Sequence, residues 1–135
     1  MKSMLEEIVR RNFTDQKERQ YYIEAQVQHK IAIEIFKAGY LKNMPIEPIL
    51  EYRINNSRRN TNEYIDIVLD SPDGKTGIEL KYKTTAKDGT LYSNQGGQNN
   101  GKYDFIKDIS RLERAKNGKL IAKGYALFLT NDNLS

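Results

Sequence analysis

Apolar and polar residues alternate along two short stretches in the middle of the chain, at 63–70 and 76–83. Both stretches are rich in Ile, Val, Tyr and Leu, and a period of two is typical of half-buried strands. The tetrapeptide SPDG at 71–74 lies between them, with Pro and Gly at positions that a type I turn prefers. The pattern predicts a β-hairpin. If Ser71 pairs with Gly74, the register is fixed along both strands.

Helical spacing of the apolar residues is found on either side of this hairpin. Residues 16–38 predict one long helix, with Asp15 as its N-cap and Gly39 as its stop signal. Residues 103–116 have helical spacing as well, and the Asn-Gly pair at 117–118 predicts the end of that second helix. One helix is therefore expected before the hairpin and another after it.

Two further segments predict strands and complete the fold class. Residues 48–54 precede the hairpin, and residues 120–129 are apolar enough to be buried on both faces of a sheet. The order helix, three strands, helix, strand predicts an α/β or α+β fold, with a central mixed sheet flanked by helices. A length of 135 residues fits a single domain, 1–135, with its core at about 16–130.

Two segments between these elements predict loops. Gly, Asn and Gln dominate residues 84–101, which could not form a core. We expect a long mobile loop there, and loops of that length inside a compact domain are often functional. The segment NNSRRN at 55–60 predicts a turn that exposes two arginines.

The composition limits the kinds of site that the chain can build. It has no cysteine and a single histidine, His29, which excludes thiolate sites and a histidine-based zinc site. A metal would therefore sit on oxygen ligands, as Mg²⁺, Mn²⁺ or Ca²⁺ does. No apolar run approaches the length of a membrane span, and the first residues, MKSMLEEIVRR, do not resemble a signal peptide. We expect a cytoplasmic protein.

The net charge of +4 is unevenly distributed. Residues 81–123 contain ten Lys or Arg against four Asp or Glu, so a basic stretch follows the hairpin and its acids. This arrangement suits a phosphate polymer that one part of the protein holds and another part cuts. A solvated basic surface would give the same pattern.

The hairpin register brings two carboxylates together. With Ser71 opposite Gly74, Asp66 lies directly opposite Glu79, at a Cβ separation of about 5 Å. Lys81 lies two positions further along the same face. Carboxylates that close repel each other, so either one takes up a proton or a cation lies between them. A hard divalent ion suits such a pair, and a nearby lysine can orient water or stabilise charge at a phosphate. The alternative is a surface hairpin with a cross-strand ion pair.

The first predicted helix carries a third carboxylate on its apolar face. At about 100° per residue, Glu24 falls within the stripe formed by Val27, Ile31 and Ile35. A buried carboxylate is costly unless it is paired or binds a metal, so we expect Glu24 to reach the hairpin as a third acidic ligand. Pairing with a buried Arg or Lys is the alternative. Gln28, one turn further on, could hydrogen-bond to water or phosphate at the same place.

These residues and their order resemble the PD-(D/E)XK nuclease superfamily, whose restriction-endonuclease-like core has the same order of helices and strands. Asp66 and the segment Glu79-Leu80-Lys81 match the motif of that family, with Ile65 where the family has proline. The stretch NGKYDFIKDISRLERAKNGKLIAKGYALFLTND is also similar to the second half of uncharacterised bacterial members of the group.

The resemblance implies an Mg²⁺-dependent nuclease that hydrolyses phosphodiester bonds, with Mn²⁺ as an alternative ion. We expect an endodeoxyribonuclease of restriction, repair or mobile-element type. By this resemblance Asp66, Glu79 and Glu24 bind the metal, the carbonyl of Leu80 can add a ligand, and Lys81 is the catalytic lysine. The candidates for contact with nucleic acid are Arg58, Arg59, Lys83, Lys87, Lys102 and, by stacking on a base, Tyr92.

Two other functions are compatible with the sequence. One is a nucleic-acid-binding module that keeps the fold without cutting, although the full set of acids and the lysine argues against it. The other is a protein-interaction domain. DNA is the expected nucleic-acid partner, and a homodimer or a partner subunit would suit a fold whose members often cut both strands as dimers. The short C-terminal segment NDNLS allows the natural chain to continue past residue 135.

Overall fold

The computed structural model describes residues 2–13, 24–56, 61–83 and 97–130. In these ranges the chain forms three helices and a four-stranded mixed sheet, so the fold class is α+β, as predicted. None of the helices described is long and apolar enough to cross a bilayer. The elements are α1 Lys2–Phe13, α2 Glu24–Leu41, β1 Glu47–Asn56, β2 Thr61–Ser71, β3 Gly74–Lys83, α3 Gly97–Asn117 and β4 Lys123–Thr130.

The strands lie in the order β1-β2-β3-β4. The first three are antiparallel neighbours, whereas β4 pairs with β3 in parallel, and α3 lies between these two strands in the chain. Ser71 pairs with Gly74, as the predicted hairpin register requires, but the β2–β3 ladder ends at the pair Ile67–Ile78, so the predicted pairing of Asp66 with Glu79 does not form. A loop of only two residues fixes this register because it leaves no room for a one-residue slip.

The helices cover opposite faces of the sheet. α1 and α2 bury one apolar cluster, with Ile31 of α2 and Leu69 of β2 at its centre. α3 covers the other face through Leu112 and Ala115, which pack against Ile65 and neighbouring residues. Close packing of α3 and the residues after it requires a small residue in β3, because a Cβ at residue 77 would lie 3.1 Å from the Leu112 side chain of α3 and 2.9 Å from that of Ile121.

In both β1 and β2, the alternation of side chains between the two faces of the sheet is interrupted at one point. Leu50 and its partner Ile67 pack on the α1–α2 side, whereas Tyr52 and its partner Ile65 pack on the α3 side. Regular alternation would keep residues two apart on one face. The residue between them in β1, Glu51, has φ +52°, a left-handed conformation that costs about 1–3 kcal/mol outside glycine. The distortion therefore flips the facing of both strands beside Asp66.

The first predicted helix differs from the observed one at its C-terminal end. α2 continues through Gly39 to Leu41, so the prediction that Gly39 stops the helix was wrong. The helix ends instead in a Schellman motif, in which Met44 N donates to Gly39 O and Asn43 takes the left-handed position at φ +54°. Gly39 is needed for space, because a Cβ there would lie 2.7 Å from Met44 O. The predicted N-cap and first turns, at 15–23, lie outside the described residues.

Three other expectations are corrected in part. Residues 97–101, predicted as part of a mobile loop, belong to α3, and the rest of that loop lies outside the described residues. Residues 55 and 56 extend β1 rather than the predicted turn. β4 is not buried on both faces: it is an edge strand, and Phe128 is 50% exposed. Helix α1 was not predicted at all.

Candidate functional site

Strands β2 and β3 part beyond the pair Ile67–Ile78, and acidic side chains take the place of strand partners there. The backbone N–H of Leu80 donates to Asp66 Oδ2 at 2.6 Å. Two residues further along β3, the N–H of Tyr82 donates to Glu24 Oε2 at 3.0 Å. Each contact satisfies a main-chain donor and fixes a carboxylate. The gap between β2 and β3, which we call the seam, is therefore lined by the carboxylates of Glu24 and Asp66.

Glu79 approaches the same place from the face that α3 covers. Its side chain is only 2% exposed, and its Oε2 accepts a hydrogen bond from Arg111 Nη1 at 3.1 Å. The other oxygen, Oε1, is buried and has no hydrogen-bond partner in the part of the chain that the structure describes. A buried acceptor without a partner is costly, so this oxygen is suited to a proton or a cation.

A cavity of about 200 Å³ opens between these groups. Lys81 lines it two residues after Glu79, as strand alternation predicts for the same face of β3. Its ammonium lowers the pKa of Glu24, although burial has the larger effect and raises that pKa overall. The residues lining the cavity are Glu24, Asp66, Glu79, Leu80, Lys81, Lys107, Asp108 and Arg111.

Burial and mutual repulsion raise the pKa values of the acids. Desolvation is the main cause of the rise in the pKa of Asp66 to about 6, and the charges of Glu24 and Asp108 add to it. The pKa of Glu79 rises to about 8, first by desolvation and then by repulsion from Asp66, while Arg111 opposes the rise. Without a cation in the cavity, Glu79 therefore keeps its proton at neutral pH.

Gln28 does not line the cavity but contacts the backbone next to it. Its Nε2 donates to the backbone carbonyl of Asp66 at 2.6 Å and to Glu51 Oε1 at 3.1 Å. Glu51 is where β1 adopts its left-handed conformation, opposite Asp66, and the two are not paired in the ladder. The amide of Gln28 thus bridges the gap in the β1–β2 ladder and holds the backbone at Asp66, while the predicted bond to water or phosphate stays a prediction.

Helix α3 contributes residues that the sequence analysis missed. Asp108 and Arg111 lie on the same helical stripe as the buried Leu112 and Ala115, with spacings of three and four residues. The same argument that singled out Glu24, a charge on an apolar stripe, would have found them. By contrast, Ile106, an apolar residue of the same helix, is 64% exposed.

The remaining predicted contacts are only partly located. Lys83 is the last residue of β3, and Lys102 lies in α3. Arg58, Arg59, Lys87 and Tyr92 lie outside the described residues.

The donor set of the cavity fits a hard divalent cation. The described residues contain no ready-made group of three or more Asp, Glu or His side chains around one point. Mg²⁺, however, is commonly held by one or two carboxylates, with water and phosphate completing the shell. Asp66 and Glu79 supply such a pair of oxygen donors, and Glu79 Oε1 has no hydrogen-bond partner among the described residues.

Comparisons of this chain with protein-family models, with curated proteins and with solved structures find no match. The functional argument therefore depends on the geometry of the site.

Proposed function

We propose that this chain is a divalent-metal-dependent nuclease of the PD-(D/E)XK type, acting on DNA. The observation that carries the proposal is the buried Oε1 of Glu79, which has no hydrogen-bond partner among the described residues and lies in a cavity also lined by Asp66 and Lys81. A buried carboxylate oxygen left without a donor is rare in folded proteins and calls for a functional explanation. A cation held between Glu79 and Asp66 supplies one.

The order of elements supports the same proposal. Helix α2, the antiparallel strands β1 to β3, helix α3 and the parallel strand β4 follow the order expected from the family resemblance. In that resemblance the aspartate lies on the second strand and the Glu-Leu-Lys segment on the third, as Asp66 and Glu79 do here. Glu24 stands at the start of the helix and reaches the seam through Tyr82 N.

Each residue has a definable role in phosphodiester hydrolysis. Asp66 and Glu79 would hold Mg²⁺ or Mn²⁺, with Glu24 and the carbonyl of Leu80 as further candidates. The ion, when bound, supplies Lewis-acid polarisation of a phosphoryl oxygen and acidifies water. Lys81 orients the attacking water or stabilises charge that develops on the phosphate. Glu79 must release its proton to bind a cation, so metal binding and deprotonation are coupled.

The cations of the site and of the whole chain favour a polyanionic substrate. Lys107 and Arg111 line the acidic cavity from α3, and guanidinium groups bind phosphate well. The sequence as a whole has a pI of about 9.2. A basic protein attracts the phosphate backbone of a nucleic acid. A metal ion in the acidic cavity would then neutralise the charge of one phosphate.

Cleavage of supercoiled plasmid, single-stranded DNA and single-stranded RNA in Mg²⁺ or Mn²⁺ tests the proposal. Lys81→Met should abolish cleavage, because it removes the ammonium and keeps the aliphatic bulk. Lys75→Met is the matched control, since Lys75 belongs to the same strand but does not line this cavity. Equal cleavage by parent, Lys81→Met and Lys75→Met preparations would point to contamination and overturn the proposal. DNA binding that depends on salt but on no metal would favour a non-catalytic module.

A further inference from the structure

Arg111 has an unusual position for a cation beside a proposed metal site. Its Nε donates to Glu63 at 3.0 Å, and its Nη1 donates to both Glu79, at 3.1 Å, and Asp108, at 3.2 Å. The three carboxylates come from β2, β3 and α3, so a single guanidinium joins three elements. Arg111 thus neutralises part of the acidic cavity from within the chain.

The bond to Glu79 places Arg111 in direct competition with a bound cation. Of the two oxygens of Glu79, one accepts from Arg111 and the other has no partner among the described residues. A divalent ion that binds Glu79 would be close to the guanidinium, and charges of the same sign repel strongly in a partly buried site. Binding the ion must therefore weaken the contact between Arg111 and Glu79.

We infer that Arg111 is a built-in substitute for the metal ion: its Nη1 donates to Glu79 in the absence of the ion and turns to a phosphate when the ion binds. This inference rests on the proposed function. Glu63 and Asp108 hold the guanidinium beside the cavity after it leaves Glu79, because neither is among the proposed metal ligands. The exchange couples metal loading to anion binding, since the ion releases a donor that recognises phosphate.

Arg114 provides a matched control from the same network. Its Nη2 donates to Glu63 at 2.6 Å, but it is nearly half exposed and does not line the cavity. Arg111→Gln and Arg114→Gln each remove one positive charge from α3. They differ in that only Arg111 contacts Glu79.

The test is Mn²⁺ affinity, measured by titration calorimetry on the parent protein, Arg111→Gln, Arg114→Gln and Glu79→Gln, without nucleic acid. Arg111→Gln should bind Mn²⁺ on the order of tenfold more tightly than the parent, because the competing charge is gone. Arg114→Gln should stay within about twofold of the parent, since an exposed charge is well screened. Glu79→Gln should lose most of the affinity.

The outcomes separate this inference from the proposed function. If the parent binds Mn²⁺ and Glu79→Gln does not, the metal site stands, and equal or weaker affinity in Arg111→Gln then overturns only the competition between Arg111 and the metal. If the parent binds no Mn²⁺ at millimolar concentrations, both fail. Should Arg111→Gln not fold, Arg111→Lys replaces it. A single ammonium cannot contact three carboxylates at once, so Arg111→Lys should bind Mn²⁺ more tightly than the parent does.

The second half of the inference has its own measurement. Inorganic phosphate should bind the Mn²⁺-loaded parent more tightly than the metal-free parent, and the gain should shrink in Arg111→Gln but not in Arg114→Gln. An unchanged gain in Arg111→Gln would assign the effect to the metal alone and refute the transfer of Arg111 to phosphate.

Discussion

Glu79→Gln should stabilise the metal-free protein at neutral and alkaline pH, although it alters a buried residue of the proposed site. Glutamine keeps the shape of the side chain and still offers an oxygen to Arg111, but it cannot ionise. The parent must either keep a proton on Glu79 or bury a charge of which one oxygen has no partner in the described part of the chain. Both choices destabilise the folded state, because in the unfolded chain the carboxylate is ionised and solvated by water.

The size of the effect follows from the shift in pKa. Folding raises the pKa of Glu79 from an ordinary 4.5 to about 8. Below 4.5 both states are protonated and the parent has its full stability. As pH rises from 4.5 to 8, only the unfolded state ionises, so the free energy of unfolding falls by about 1.4 kcal/mol per pH unit. Between about pH 5 and pH 8, the free energy of unfolding of the parent should therefore fall by about 4 kcal/mol more than that of Glu79→Gln.

Urea denaturation followed by circular dichroism, with a chelator present, measures this difference. The two proteins are compared at each pH by the midpoint and slope of the transition. Groups that do not interact with Glu79 titrate alike in both proteins and cancel in the comparison. Glu34→Gln is the control, because Glu34 pairs with Lys30 on the surface of α2 and lies outside the cavity.

Parallel pH profiles for the parent and Glu79→Gln would refute the reasoning. A variant that is less stable than the parent throughout this range would also contradict it. That result would mean that Glu79 is ionised in the folded protein and that its pairing with Arg111 outweighs the cost of burial.

Two further substitutions test how the scaffold supports the site. Gln28→Met should lower the free energy of unfolding by about 1–3 kcal/mol, because it leaves the partly buried carbonyl of Asp66 without the donor from Gln28; an unchanged urea midpoint would contradict the role assigned to Gln28. Gly77→Ala should cost about 1–2 kcal/mol, since the new Cβ would lie 2.9 Å from Ile121. Gly124→Ala, whose nearest contact would be 3.3 Å, should cost less in the same assay, and the reverse order would count against the packing of α3.

The sequence predicted the hairpin register and the facing of β3 because both depend on local information. Two turn residues fix the register, and a regular alternation carries Glu79 and Lys81 to one face. The coarse fold class followed from the order of the elements. The metal, the substrate and the roles of the site residues stay predictions.

Other features depend on information that no local pattern carries. The facing of β2 changes beside Asp66 because Glu51, in the neighbouring strand, adopts a left-handed conformation. The pattern of β4 does not reveal that it is an edge strand, since strand order is a property of the whole sheet. Arg111 was missed because charged residues on a helix usually face water, and only its place beside Leu112 indicates otherwise.

The contacts that assemble the site span very different lengths of chain, and this orders their formation during folding. Asp66 meets the amide of Leu80 across 14 residues, within one hairpin. Arg111 reaches Glu79 across 32 residues, and Glu24 reaches Tyr82 across 58. The entropy lost on closing a loop grows with its length, so we expect the contact of Asp66 to form early and that of Glu24 to form last. Hydrogen exchange at the amide of Tyr82 therefore reports on the completed fold, whereas exchange at Leu80 reports on the hairpin.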